Sequence, residues 1–413
     1  MKRERRSGLE NSLEAAVLAG MVLLLLAPEV LANGFRNPPS SASALGHVGA
    51  QYALTEDVSA QAINPATLTS TERPAAMAAL NFLRAEVEFR SPLNQTANTV
   101  SPWKVLPNVF VAAPVQDWVL GLAVTTPFGQ STEWERGGAF EASAPYFASM
   151  TVINFNPGVA RKLADGLSVG AGVNVFWSEL EMRMNTAGLG IPGKARFHGD
   201  GTGLGGNLGL RWRLAPGQWV SLAYRTAVTV EYDGDFESSA MPALKSDFET
   251  EIEFPDIVGL GYGVQVSPDL RLGVDLEWLR FSRFEELRLD IGAPAGPALP
   301  PAMTTIPEQW DDTWSAGAGA EWKFAADWLF RAGYFYMASP IPEETLAPTL
   351  PDGDQHVVST GVGFHRGAHA LDVAYAIGLN EDRHVNRNAN PAYVGSYEIK
   401  PSHMLQLAYR FSF

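Results

Sequence analysis

Met404-Leu405-Gln406-Leu407-Ala408-Tyr409-Arg410-Phe411-Ser412-Phe413 ends the chain, and its reading decides the fold. Leu405, Leu407, Tyr409, Phe411 and Phe413 fall at every second position, with Met404, Gln406, Ala408, Arg410 and Ser412 between them. Successive side chains of a strand point to opposite faces, so one face of this segment is apolar or aromatic throughout. The period recurs upstream: Leu167 to Trp177 alternates with Ser168 to Ser178, and Val220 to Val230 with Ser221 to Thr229. Leu270 to Trp278 and Trp328 to Tyr336 repeat it. In a soluble sandwich the polar face would look to water. In a transmembrane barrel the apolar face meets lipid, and the polar or small face lines the lumen.

The connections alternate as well. Asp165-Gly166, Pro216-Gly217, Ser267-Pro268-Asp269 and Arg366-Gly367 read as tight periplasmic turns. The stretches near 185–201, 233–250, 290–311, 339–353 and 380–398 read as longer extracellular loops. Strand centres fall near 82, 109, 122, 153, 172, 208, 224, 258, 275, 318, 332, 359, 373 and 407. The expected fold is an all-β, antiparallel transmembrane barrel of about 14 strands, an even number as such barrels favour. Trp118, Trp212, Trp219, Trp322 and Trp328 fall near strand ends, where interfacial aromatic girdles are expected.

Composition agrees. The 413 residues carry a net charge of −15, 39 Gly, 28 Pro and no Cys, with only 18% charged residues. The acidic balance argues against a nucleic-acid partner, and absent cysteine removes disulfides, thiolate zinc sites and thiol nucleophiles together. Residues 2–6 are basic, Ala15–Ala27 is apolar, and Val30-Leu31-Ala32 places small residues for cleavage after Ala32. Residues 1–32 therefore read as a secretory signal peptide, the apolar run being too short to span a membrane. Residues 33–73 do not alternate. They are rich in small residues, with turn and cap chemistry at Glu56-Asp57 and Asn64-Pro65-Ala66, and a wide barrel needs a plug. The expected division is a hatch over 33–73 and a barrel over 74–413.

Several stretches resemble one family. Asn33-Gly34-Phe35, Gly46…Gly49, Glu56-Asp57 and Asn64-Pro65-Ala66 are similar to the amino-terminal hatch of the FadL-type transporters of long-chain fatty acids and other hydrophobic compounds. The likeness continues through Gly199–Gly203, Asn207–Leu210, Ala223-Tyr224-Arg225-Thr226, Pro255–Phe284, Ser339–Pro342 and Pro351–Asp354, covering essentially the whole mature chain. The resemblance implies a plugged fourteen-stranded barrel of the bacterial outer membrane. In it a hydrophobic ligand is captured outside, moves to an interior pocket and leaves sideways through a kinked third strand. It implies that Gly34-Phe35 places a ring in the ligand pocket and that Asn64, Pro65 and Ala66 lie beside the lateral gate. Phe413 resembles the terminal signal read by the barrel assembly machinery.

The third strand contains Pro127-Phe128-Gly129, where Pro127 removes a ladder donor and Gly129 permits unusual dihedrals; an ordinary strand end is the alternative. Phe176, Leu180, Met182 and Met184 occupy inward positions of the fifth strand. They are candidate pocket residues, Met being adaptable to flexible chains, and hatch packing is the alternative. The basic positions that fatty acid members use for the carboxylate fall at Met184 and Ile306 here. Arg183 is a candidate substitute only if its strand bulges, since strict alternation turns it outward. A neutral hydrocarbon or aromatic ligand, as in the branch handling toluene, is therefore an alternative cargo.

Gly201-Thr202-Gly203-Leu204-Gly205-Gly206 precedes a strand and not a helix, so it is a poor dinucleotide site. His365 with His369, and Asp352 with Asp354, are weak metal candidates whose default is solvated turn and loop. No cofactor, metal or catalytic set is expected, and the protein is not read as an enzyme. Outer-membrane lipid and lipopolysaccharide are expected partners, and a monomer is expected. The alternatives are a channel for polar solutes and, more remotely, a lipid-modifying enzyme.

Overall fold

The structure is a computed structural model, and it describes residues 34–100, 103–141, 145–185, 193–239, 245–292 and 305–413. The signal peptide assigned to residues 1–32 lies outside them.

The barrel has fourteen antiparallel walls. They are β1 Ala75–Arg84, β2 Lys104–Val115, β3 Trp118–Thr125 continued by Gly129–Glu133, and β4 Pro145–Ala164. Then come β5 Leu167–Asn185, β6 Lys194–Ala215, β7 Gln218–Arg225 continued by Val228–Ser238, and β8 Lys245–Phe254 continued by Asp256–Ser267. β9 Leu270–Arg280, β10 Thr313–Ala325, β11 Trp328–Met337, β12 Gln355–Arg366, β13 His369–Asn380 and β14 Ser402–Ser412 complete the set. β1 pairs with both β2 and β14, which closes the cylinder. Each of the fourteen expected centres falls in its own wall.

Alternation holds where it can be checked. On β14, Leu405, Leu407 and Tyr409 are exposed while Met404, Gln406 and Ala408 are buried. Similar rows, such as Val173 and Val175 on β5 or Leu371, Val373 and Tyr375 on β13, make a continuous exposed apolar belt that suits lipid and not water. Gly166, Gly217 and Gly367 turn the short hairpins with φ of 81°, 73° and 63°, a conformation that favours glycine.

Two expectations are corrected. Trp219 is not a girdle residue: it is buried in the lumen, and its Nε1 donates to the Ala53 carbonyl of the hatch at 2.5 Å. Much of 193–201, 233–239 and 245–250 is not loop, because β6, β7 and β8 run on past the apolar belt. There Glu231 faces Glu251, and Asp233 faces Glu249. Carboxylates on the outward face belong above the membrane, in water.

Residues 34–71 fill the lumen with a strap, two short helices (Ala42–Gly46 and Gln51–Leu54) and two 3-10 turns (Val58–Ala62 and Pro65–Ser70). Side-chain caps start three of them: Ser41 accepts from Ala44 N, Asp57 from Ser59 N and Asn64 from Ala66 N. The wall is thinned to receive them. A Cβ built on Gly170 would lie 2.5 Å from the Ala66 nitrogen and closer still to the Pro65 carbonyl carbon. At Gly273 it would meet the Ala53 Cβ at 2.7 Å. Charges then lock the fit, with Glu56 paired to Arg211 and Arg271, Glu321 to Arg271 and Arg331, and Arg331 to Asp372. The Glu56 pairs join plug to wall and the others join wall strands to one another; burying each charge carries a desolvation cost that its partner offsets.

Candidate functional site: two chambers and a broken wall

Above the hatch lies a cavity of about 610 Å³, within the range of about 300–1,000 Å³ usual for small-molecule sites. The fifth strand supplies Leu180, Met182 and Met184 to its wall, and Phe35, Phe284 and Trp310 supply aromatic surface. Its roof comes from loops, with Ile341 and Leu350 before β12 and Asn390 to Tyr393 before β14. Ile306 also lines it, so Met184 and Ile306, the positions where a carboxylate-binding cation was sought, present carbon.

Phe35 forms the floor. Its ring centroid is 5.0 Å from Trp310, 5.2 Å from Phe254, 5.6 Å from Phe281, 5.8 Å from Phe284 and 6.0 Å from Phe128. Aromatic pairs at such spacings add about 0.5–1.5 kcal/mol each beyond area burial. Phe176 is absent from the cavity wall and sits in this cluster, 5.9 Å from Phe128 and 5.5 Å from Phe254. Arg183 does not line the cavity either. Alternation turns it to the outer surface, where it pairs with Glu181 at 2.8 Å and lies over the Phe147 ring.

The strap that carries Phe35 is held from both sides. Gly34 N donates to Asp352 Oδ2 at 2.8 Å, and Ser339 Oγ donates to the same oxygen. Asp352 is thus a clasp for the strap, and Asp354 receives Ser339 N and the Tyr336 hydroxyl. On the other side, the strap takes up the groups left by the interruption of β3. Gly129 N donates to Phe35 O at 2.8 Å, Asn37 N to Pro127 O at 3.0 Å, and Asn37 Nδ2 to Thr126 O at 2.9 Å. Gly34, Phe35, Pro127, Phe128 and Gly129 therefore form one unit.

The interruption is a register shift. Thr125 faces Asn154 and Gly129 faces Thr151, so four steps on β3 match three on β4. One residue is extra, as in a bulge. On its other edge β3 pairs with β2 only from Val124 to Trp118. Among the described residues no ladder joins Gly129–Glu133 to β2, which leaves a gap in the backbone ladder. Asn108 Oδ1 receives Thr126 N at its lower end, Lys104 Nζ reaches Ser131 Oγ across it, and Val100 N donates to Glu133 O at its upper end.

Below Phe35 lies a second, smaller chamber of about 100 Å³. It is bounded by Arg36, Tyr52, Ile63, Pro127, Phe128 and Arg225 among others. Asn64 lies next to it, its Nδ2 donating to the Leu210 and Leu222 carbonyls at 3.1 and 3.3 Å. Pro65 and Ala66 pack on β5 and β6 instead, at Gly170 and Gly209.

Sequence reasoning missed Glu308. It lines the upper cavity, its Oε2 accepts from Trp310 Nε1 at 2.8 Å, and burial pushes its carboxyl up to about 8. A hydrophobic ligand would exclude more water and favour the protonated form further. Affinity for a neutral hydrophobic probe is therefore expected to be full below about pH 8 and to fall by up to about tenfold as pH rises through it. Tyr393, the other titratable group on this wall, is raised to about 12 by burial and stays neutral there. Titration of the purified protein at pH 6.5 and 9.5 checks this, and Glu308→Gln should remove the dependence.

A closed fourteen-stranded barrel with an apolar outer belt, a lumen plug and an apolar inner cavity defines a plugged barrel of the outer-membrane type. Residues 23–413 match the family described as outer membrane protein transport protein (OMPP1/FadL/TodX), and the chain belongs to that family. Its place is the outer membrane. It is 22% identical to the long-chain fatty acid transport protein of Escherichia coli O6:H1, over 83% of this chain and 86% of that one. A crystal structure of a Pseudomonas aeruginosa FadL homologue has the same fold, with a TM-score of 0.79 at 19% identity over 92% of this chain and 100% of that one. The Pseudomonas putida toluene transporter TodX is similar too, with a TM-score of 0.73 at 17% identity over 92% and 100%.

Proposed function

We propose that the protein passes hydrophobic molecules, long-chain fatty acids or hydrocarbons, through the outer membrane by passive diffusion with lateral release. The observation that carries this reading is the sequence of an apolar cavity, an aromatic floor and a gap in the wall's backbone ladder along one short path. Cargo enters the upper cavity and displaces Phe35. The strap then withdraws from β3, and the cargo leaves between β2 and β3 into lipid. The physical gain is that no apolar chain crosses water, which would cost about 0.8 kcal/mol per methylene. On this reading the chain is a monomer with no catalytic role. Its belt contacts lipid and lipopolysaccharide, and Phe413 is the terminal residue presented to the barrel assembly machinery.

A polar-solute channel would conduct steadily, whereas a plugged barrel should not. In planar bilayers the wild-type protein is expected to pass little steady current, while proteoliposomes take up a hydrophobic probe. Gly170→Val would force its side chain into Pro65 and Ala66. It should raise steady conductance about tenfold or more without preventing barrel assembly. High steady current in the wild type would overturn the reading.

A further inference from the structure

The upper cavity holds no Arg, Lys or His on its described wall, so no side chain there offers an anionic head a positive charge. The smaller chamber differs. Two guanidiniums open on it, Arg36 and Arg225. Arg36 is satisfied by Glu277, with Nη2 at 2.7 Å from Oε1 and Nη1 at 2.5 Å from Oε2. Arg225 has no carboxylate partner among the described residues; its one hydrogen bond runs from Nη2 to the Ala62 carbonyl at 2.8 Å. The nearby carboxylates are occupied. Glu277 Oε1 also receives the Tyr52 hydroxyl at 2.6 Å, and Asp275 receives the backbone N–H groups of Tyr52 and Ala53. The other lumen arginines, Arg211, Arg271 and Arg331, are each paired with carboxylates.

A guanidinium stays charged at every accessible pH, carries five donors and matches a carboxylate in two-point fashion. Enclosed without an anion, it bears an uncompensated desolvation cost that an incoming anion relieves. The chamber is bounded by Thr126, Pro127 and Phe128, the residues of the β3 interruption. We propose that Arg225 is a carboxylate-recognition residue, and that the small chamber receives the head of a long-chain carboxylic acid beside the lateral gap. Head-group recognition then comes after Phe35 is displaced, not at capture. The carboxylate also competes with Ala62 O for the guanidinium, drawing on the bond that joins β7 to the hatch just before Asn64-Pro65-Ala66. This rests on the transport reading above.

The test compares uptake of oleate and of oleyl alcohol, equal in chain length, by proteoliposomes containing the full-length mature protein. In Arg225→Met the oleate-to-alcohol uptake ratio should fall about tenfold or more, and Arg225→Lys should restore most of it. A ratio unchanged in Arg225→Met, with total uptake lowered or not, overturns the proposal and leaves Arg225 as a strut for the hatch. A wild type that takes up the alcohol but not oleate also overturns it while the transport reading stands. A wild type that takes up neither removes both. Should Arg225→Met fail to assemble, carboxyl-labelled oleate bound to the wild type decides by its NMR titration. A carboxyl beside the guanidinium stays ionised to about one to three pH units below its free value, and one that titrates at or above that value overturns the proposal.

Discussion

Replacing Phe35 by alanine is expected to lower uptake of a hydrophobic probe by about tenfold or more while the barrel still assembles. The ring touches five aromatic side chains and forms the floor of the upper cavity. Truncating a buried Phe to Ala costs about 3–5 kcal/mol, and here the cost falls on docking of the strap. Gly34 to Asn37 would then leave the Asp352 clasp and the β3 interruption without cargo to displace them. The cavity would also lose the surface against which cargo binds, so occupancy would no longer drive release. Heat-modifiable mobility on denaturing gels reports the assembled barrel, and probe uptake reports the gate. Unchanged uptake would mean that Phe35 packs without gating.

The second large effect concerns the wall. Deleting Pro127 removes the extra residue between Thr125 and Gly129 and brings the two halves of β3 into one register against β4. It also restores a donor where proline has none. The upper half of β3 could then pair with β2, closing the gap now crossed by Lys104 and Ser131. Uptake of every hydrophobic probe is expected to fall about tenfold or more, with little change in binding to the upper cavity. A deletion that binds and transports like the wild type would argue against a sideways exit.

The barrel was readable from sequence because each wall faces two different solvents. Leu405, Leu407 and Tyr409 meet lipid, Gln406 and Ala408 meet the lumen, and a period of two is the unavoidable trace. That trace fails where the outer face changes solvent. Above the belt Glu231, Asp233, Glu249 and Glu251 point outward into water, so strands look like acidic loop. Trp219 misled for a related reason: tryptophan near a strand end suggests an interface, yet its parity on β7 with Ser221 and Ala223 already turns it inward, toward Ala53.

The site was half legible. Leu180, Met182 and Met184 followed from parity on one strand, as did the outward turn of Arg183. Phe128 and Phe254 meet Phe35 only through the closing of the whole cylinder, which no local pattern records. Glu308 lies in a connection with no periodicity, so nothing distinguished it from solvated loop charge. Arg225 had a signal: it shares its parity with Ser221 and Ala223, which face the lumen. What could not be read was that every nearby carboxylate is already engaged.

The central claim is the route: outer cavity, Phe35, then sideways between β2 and β3. Photolabelling of the wild-type protein with a diazirine-bearing hydrophobic chain, with adducts located by mass spectrometry, tests it most directly. Adducts at Phe35, Leu180 or Met182 together with adducts at Pro127, Phe128 or the facing part of β2 are predicted. Adducts running down the lumen past the hatch, at Glu56 and the wall around Arg271 and Arg331, would show passage along the barrel axis and contradict it.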